Sequence, residues 1–229
     1  MAIEAREFEE QGMSLLLAVE SSSNVYRVVL GRDGEAIFDS AMDSCDESLR
    51  TLDALLKCGL KAVGAEASEI KGIAINVGPG SLTFVRAGIS FVNALAFSLN
   101  VSIYPFNWFE IIAEQTREVT ELPVVAAVPA SNDNAYLGLI RGASVEIMRF
   151  GRVDEALARV SDGLSGGVAV AGRIRHRLAG LLSGARDLGI ENPDARVLLR
   201  LAEEAWKNGE RATMQVEALN DQSDVFFDE

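Results

Sequence analysis

Gly78, Pro79, Gly80, Ser81, Leu82 and Thr83 close a short apolar run at 70–77 and open a long apolar segment. This is a pattern that could hold an anion. Pro79-Gly80 fits a type II turn with glycine at the positive-φ position, and Ser81 or Thr83 can cap the helix behind it. The free N–H groups of a helix start attract negative charge, with Arg86 one turn on to add a cation. The same residues also make a plain strand-to-helix turn, since glycine-rich turns are common. A Walker A loop is excluded, because no Gly-Lys pair occurs in the chain.

Other candidates are few. Glu20 ends the first apolar run, where a carboxylate could hold magnesium through water; it could equally cap the polar turn at 21–24, and we take the capping role. His176 is the single histidine and sits in Arg173-Ile174-Arg175-His176-Arg177, where an exposed or capping role is the simpler reading. One histidine excludes a two-histidine metal site within this chain, and no HExxH, Cys-x-x-Cys or Gly-x-Ser-x-Gly is present. No catalytic residue and no metal site are assigned. Cys45 and Cys58 cannot form a disulfide framework or a four-cysteine zinc site. On one helix they would lie ~20 Å apart and could not bridge.

Apolar periodicity gives the framework that holds these residues. Residues 15–19, 25–30 and 35–40 read as three antiparallel strands, the last two joined by a turn at 31–34. Leu49, Leu52, Leu55, Leu56 and Leu60 give 46–60 the spacing of an amphipathic helix. Strands are expected at 70–77, 101–105, 124–128, 136–140, 145–150 and 167–171, and helices at 108–118, 153–160 and 173–182. Asn192-Pro193-Asp194 reads as a helix start, with Asn192 as cap, proline at the first helical position and Gly209 as the stop. The last stretch, 217–229, has five acids and no base, and its tip reads as solvated or disordered.

The helix after the glycine loop has no charged residue from 87 to 100. Ile89, Phe91, Val92, Leu95, Phe97 and Leu99 spread apolar surface around most of its circumference, whereas a helix on one sheet needs one apolar stripe. Ala87, Gly88, Ala94 and Ala96 would let another helix approach closely. Burial between two lobes of the same chain would also account for it; we take a subunit interface.

The chain has 229 residues, 48% hydrophobic and 24% charged, which suits one large or two small globular domains. Lysine and arginine total 21 against 34 acids, a net charge of −13. That disfavours direct nucleic-acid binding, which draws on counterion release by cations. The start carries no signal-peptide pattern, and no stretch reads as the ~18 apolar residues of a membrane span. A soluble, cytoplasmic protein is expected. The order of strands and helices, in two halves, argues α/β with two related lobes.

Several segments together resemble the TsaB (YeaZ) family of tRNA threonylcarbamoyladenosine biosynthesis: LLLAVESSS at 15–23, IAINVGPGSLTFVRAG at 73–88 and PDARVLLRLAEEAWKNG at 193–209. The central segment is similar to the family's GPGSFTGVRIG pattern. The resemblance implies a two-lobed actin-like, sugar-kinase-like (ASKHA) fold, each lobe a mixed sheet with helices: a charged leader at 1–13, a first lobe at 14–121 and a second at 122–229. It implies a non-catalytic scaffold, without a cofactor, for the catalytic paralogue TsaD. The H-x-x-x-H metal motif of TsaD would fall at Trp108 and Ile112. The matching partner surfaces are the helices holding Leu52, Leu56, Ala87, Phe91, Asn93, Ala94, Leu95 and Ser98, which would meet TsaD or, in the free protein, a second copy. A TsaE-like ATPase would join at that interface. Departures from the family pattern, among them Glu20-Ser21-Ser22 for Asp-Thr-Ser, the altered 129–136 segment, the missing Pro-x-Tyr-Leu-Arg close and Phe84 for a glycine, bear on nucleotide and TsaE contacts more than on fold. An autonomous ATP-dependent phosphotransferase of the same fold is the alternative; for peptidase activity the chain offers neither a metal site nor a nucleophile with its base.

Overall fold

The computed structural model describes residues 14–43, 51–164, 166–220 and 222–226. The first lobe holds β1 (Leu15–Glu20), β2 (Arg27–Arg32), β3 (Glu35–Asp39), α1 (Leu52–Val63), β4 (Ile70–Asn76), α2 (Leu82–Leu99) and β5 (Ser102–Phe106). After α3 (Trp108–Arg117) come β6 (Val124–Pro129), β7 (Asn134–Arg141), β8 (Ser144–Arg152), α4 (Val153–Val160), β9 (Ala169–Gly172), α5 (Arg175–Leu181) and β10 (Arg186–Asp187), and then α6 (Ala195–Asn208).

Two five-stranded sheets result, ordered β3-β2-β1-β4-β5 and β10-β9-β6-β7-β8. In each, an antiparallel meander of three strands continues into two parallel ones, β1 with β4 and β5, β6 with β9 and β10. The two lobes therefore repeat one topology, as the actin-like expectation requires. In both, the turn after the first strand carries an asparagine in the left-handed region, Asn24 (φ 62) and Asn132 (φ 58), a conformation its short polar side chain tolerates.

β1 is buried at all six positions, so both faces of the first sheet are covered. Leu15, Leu17 and Val19 point into a core closed by α1 and α2, while Leu16 and Ala18 meet Ile111, Leu198, Leu199 and Ala202. The second of these cores is closed by α6, which comes from the far end of the chain. The expected 122–229 unit is thus interrupted: α6 packs against β1, β2, β4 and β5, not against the second sheet. It lies so close that a Cβ on Gly31 would collide with Leu199. α3 serves both lobes, with Ile111 in the first-lobe core and Trp108, Phe109, Ile112 and Ala113 in the second.

Several local expectations are corrected. α1 begins at Leu52, because Thr51 is extended (φ −109, ψ 149); Leu49 and the rest of 46–50 lie outside the described residues. Cys58 is disulfide-bonded and the chain has only one other cysteine, Cys45, also outside the described residues. The expectation that the two could not bridge rested on a shared helix, and α1 starts too late for that. The cap of α6 is Asp194, accepting from the Arg196 N–H at 2.8 Å, and helical geometry starts at Ala195 rather than Pro193. Within the acidic stretch Phe226 is 1% exposed, while residues 227–229, the tip expected to be solvated or disordered, lie outside the described residues. By length and composition α2, with 18 residues, is also apolar enough to cross a membrane, contrary to the expectation that no stretch qualifies. Its buried residues, Val85, Gly88, Ile89, Val92 and Ala96, are however built into the first lobe.

A lobe cut at residue 121 lacks the helix that covers half of its sheet. Residues 14–121 expressed alone should give no cooperative urea transition, whereas Leu198→Ala in the full chain, which truncates a fully buried side chain, should lower unfolding free energy by about 2–5 kcal/mol. A folded 14–121 fragment would refute this account of α6.

Candidate functional site

The carboxyl ends of the two sheets face each other across a cleft of about 370 Å³. One wall is the turn at Asn24 with Gly80, Ser81 and Leu82; the other is Pro129, Ala130, Ser131, Tyr136 and Arg173, and Leu219 and Asn220 close the side between them. In open α/β sheets this is the edge where ligands gather.

Behind the first wall lies a buried polar cluster. Glu20 is 1% exposed; its carboxylate accepts the Ser22 N–H and hydroxyl, both at 2.6 Å, and the Asn76 amide at 2.5 Å. Asn76 in turn accepts the Gly78 N–H at 2.9 Å. The end of β1, the end of β4 and the glycine loop are thereby tied together. Burial pushes the Glu20 carboxyl above its ordinary range, the bonds from Ser22 and Asn76 opposing that shift without cancelling it. The capping role expected for Glu20 is what the geometry gives, and Asn76, which carries no motif to mark it in the sequence, completes it.

The loop itself differs from the expected turn. Gly78, not Gly80, takes the positive φ (103°), and the Gly78-Pro79 bond is cis. Gly80 is needed for close approach: a Cβ there would sit 2.6 Å from the Ser22 Cβ and 2.7 Å from the Ser22 carbonyl oxygen. Ser81 occupies the N-cap of α2 but its side chain caps nothing, and its N–H donates to the Ser22 carbonyl at 2.9 Å. Thr83 and Arg86 are exposed and do not line the cleft. The cation that does is Arg173, from the second lobe, whose side chain makes no ion pair among the described residues. Its neighbours are committed: Arg177 pairs with Asp133 and Asp154, Arg152 with Asp133, and Arg175 with Asp187. Asn24, Ser131 and Asn220 were likewise missed; the signal available was their place in polar turns that the fold brings together.

The candidate partner residues divide. Leu52 and Leu56, each 6% exposed, lie in the first-lobe core and are unavailable to a partner, a correction with a simple cause, since α1 has one apolar stripe and its sheet takes it. Phe91 and Leu95 are half-buried against the same core. Asn93 is bound internally, its amide donating to the Val216 carbonyl and its oxygen accepting the Val216 N–H, both at 3.0 Å. Ala87, Ala94 and Ser98 are exposed, as are Ser90 and Phe97, the last at 84%.

His176 is exposed, with Nδ1 3.0 Å from the Asp187 carboxylate. Trp108 and Ile112, the positions expected to match the TsaD histidines, are buried in the second-lobe core. Among the described residues no group of three or more His, Cys, Asp or Glu side chains could hold a metal ion.

The family model described as TsaD, tRNA N6-adenosine threonylcarbamoyltransferase, matches residues 44–175, more than half of the chain. The chain belongs to the TsaD family. A tRNA N6-adenosine threonylcarbamoyltransferase of Geotalea uraniireducens is 30% identical over 142 residues, covering 54% of this chain and 41% of the relative. The tRNA threonylcarbamoyladenosine biosynthesis protein TsaB of Haemophilus influenzae is 26% identical over 126 residues, 55% of this chain and 53% of the relative. The chain thus spans about half the length of the curated relatives it matches. YeaZ from Pseudomonas aeruginosa has the same fold, with a TM-score of 0.73 at 24% identity, over 91% of this chain and all of that one. The resemblance to TsaB (YeaZ) read from the sequence is therefore borne out within the TsaD family.

Because folding raises the Glu20 pKa, the folded state holds this proton more tightly than the unfolded one, and the group's contribution to stability falls as pH rises above its ordinary 4.5. Glu20→Gln carries no such proton. Its stability relative to the parent should climb with pH from 4.5, by up to ~1.4 kcal/mol per unit, and level off above the folded pKa. Paired urea titrations from pH 4.5 to 7.5 measure this, and a difference independent of pH would refute it.

Proposed function

We propose that this chain is a non-catalytic scaffold of tRNA N6-threonylcarbamoyladenosine formation, docking a TsaD-like catalytic subunit through the outward face of α2. The observation that carries the reading is this face. Ala87, Ser90, Ala94, Phe97 and Ser98 stand exposed with no charge among them, and Phe97 leaves most of an aromatic ring in water. Burying such a ring is worth about 1.5–3 kcal/mol, and exposed aromatics are favoured anchors of interfaces. Small residues beside it permit close helix-to-helix contact. Met214, two residues from the Val216 that Asn93 holds, is also exposed, at 55%. A second copy of the chain would use the same face when TsaD is absent, and a TsaE-like ATPase would join at the junction. A bilayer is the weaker partner for this helix, since its other face is part of a sheet-covered core.

The phosphotransferase reading asks Glu20 to serve magnesium in the cleft. Against it, that carboxylate is buried and both its oxygens are hydrogen-bonded to Ser22 and Asn76. A metal ion there would have to displace those bonds and undo the loop they hold.

Leu95→Asp would disturb the core as well as the surface, so Phe97→Asp is the cleaner probe. Its melting temperature should stay within a few degrees of the parent, while its affinity for the TsaD of the same organism falls at least tenfold, about 1.4 kcal/mol or more. Calorimetric titration of one protein into the other measures that affinity directly. Unchanged affinity would remove α2 from the interface, and ATP turnover lost in Glu20→Ala would favour the phosphotransferase instead.

A further inference from the structure

The chain does not end where α6 ends. Gly209 stops the helix in the left-handed region (φ 70), and the segment beyond it is pinned at four points across both lobes. Thr213 exchanges two backbone hydrogen bonds with Ile103 on the edge of β5, at 2.8 and 3.0 Å. Val216 is clamped by the Asn93 side chain and buried in the first-lobe core. The Leu219 N–H donates to the Val77 carbonyl at 2.7 Å. Its own carbonyl passes so near Gly78 that a Cβ there would lie 2.8 Å away. Beyond a turn closed by Asn220 and Ser223, Phe226 enters the second-lobe core, its ring centroid 4.9 Å from that of Tyr136.

Leu219, Asn220 and Tyr136 all line the cleft. This segment therefore crosses from one wall to the other, in addition to the two connections that lead from α3 to β6 and from β10 to α6. A linker alone would need neither the Asn93 clamp nor a buried phenylalanine at its end.

We propose that the segment formed by residues 213–220 and 222–226 is a strap that sets the opening of the interlobe cleft, anchored on the first lobe by Asn93 of α2 and on the second by Phe226. Two connections leave the lobes free to hinge about the line between them. A third attachment at the mouth of the cleft removes that freedom, as a stay holds a door. The Gly78 loop is the point where the strap bears on the cleft wall. Because Asn93 lies on α2, movement of that helix is transmitted to the strap. These contacts are internal to the chain and hold whatever docks against α2.

Hydrogen exchange of the full chain tests the strap, using Asn93→Ala to free the first anchor and Phe226→Ala to free the second. The reporters are the amides of Ser81 and Ala130, one on each wall, which donate to Ser22 and Asn134 at 2.9 Å. Both variants should speed exchange at both reporters at least tenfold, while amides of β1 and β9 stay within twofold of the parent. Among the described residues the Asn93 side chain hydrogen-bonds to Val216 alone, so faster exchange at Ala130 in Asn93→Ala is the decisive result. An Ala130 rate unchanged in that variant would overturn the strap, as would a Phe226→Ala effect that reaches β9 as strongly as Ala130, which would mean that Phe226 is core packing only.

Discussion

The first sheet is apolar on both faces, and the chain that builds its strands supplies cover for only one of them. α1 and α2 close the side of Leu15, Leu17 and Val19. The side of Leu16 and Ala18 has only Ile111 of α3 to cover it until α6 arrives, after the whole second lobe has been made. Leaving that side in water would forfeit much of the burial that stabilises a domain of this size. The chain must therefore return, and much of the architecture depends on that return. The second lobe becomes an insertion between β5 and α6, α3 is held between two cores, and the segment after α6 emerges beside the cleft, where it can reach both walls.

The cleft looks chemical in sequence and is largely structural in three dimensions. A glutamate at the end of β1, serines after it and a glycine-rich loop suggest a group that acts on a ligand. Apart from the buried Ser21 hydroxyl, which has no hydrogen-bond partner among the described residues, and Ser23, which turns to Asn192, their polar atoms satisfy one another. Glu20 turns inward to Ser22 and Asn76, Asn76 holds Gly78, and the Ser81 N–H is taken by the Ser22 carbonyl. A buried carboxylate without a counter-charge is costly unless it is fully hydrogen-bonded, and here that requirement fixes the loop. What remains open to the cleft is Arg173 on the opposite wall, with the polar turns at Asn24, Ser131 and Asn220.

α2 reconciles two demands that conflict in most surface helices. Its inner face fills the first-lobe core with Val85, Ile89, Val92 and Ala96, and Gly88 brings it near β1, where a Cβ would meet the Ser21 hydroxyl. From Ala87 onward its outer face carries no charge to discourage association. The helix is long and apolar enough to resemble a membrane span, yet it is one layer of a sheet-covered lobe. The chain itself packs one side of this helix, and the other is the face proposed for docking.

The strand and helix order apart from the two-residue β10, the two-lobed fold, the place of the glycine loop and the unusual character of α2 were legible in the sequence, because each rests on local periodicity or turn chemistry. The resemblance to TsaB was carried by the same segments. Partnership was not legible. The stripe of α1 gives no sign that its leucines face β2 and β3 rather than a subunit. Asn93 looks like a surface residue until Val216 is beside it, and nothing in the acidic stretch marks Phe226 for the second core. Cys58 belonged to an assumed helix that begins later than its periodicity suggested. Residue order was enough to say which elements form and which side chains prefer burial, since those are properties of neighbours along the chain. Which face meets which was settled only in three dimensions, because burial and hydrogen-bond satisfaction are decided between residues that the chain brings together from far apart.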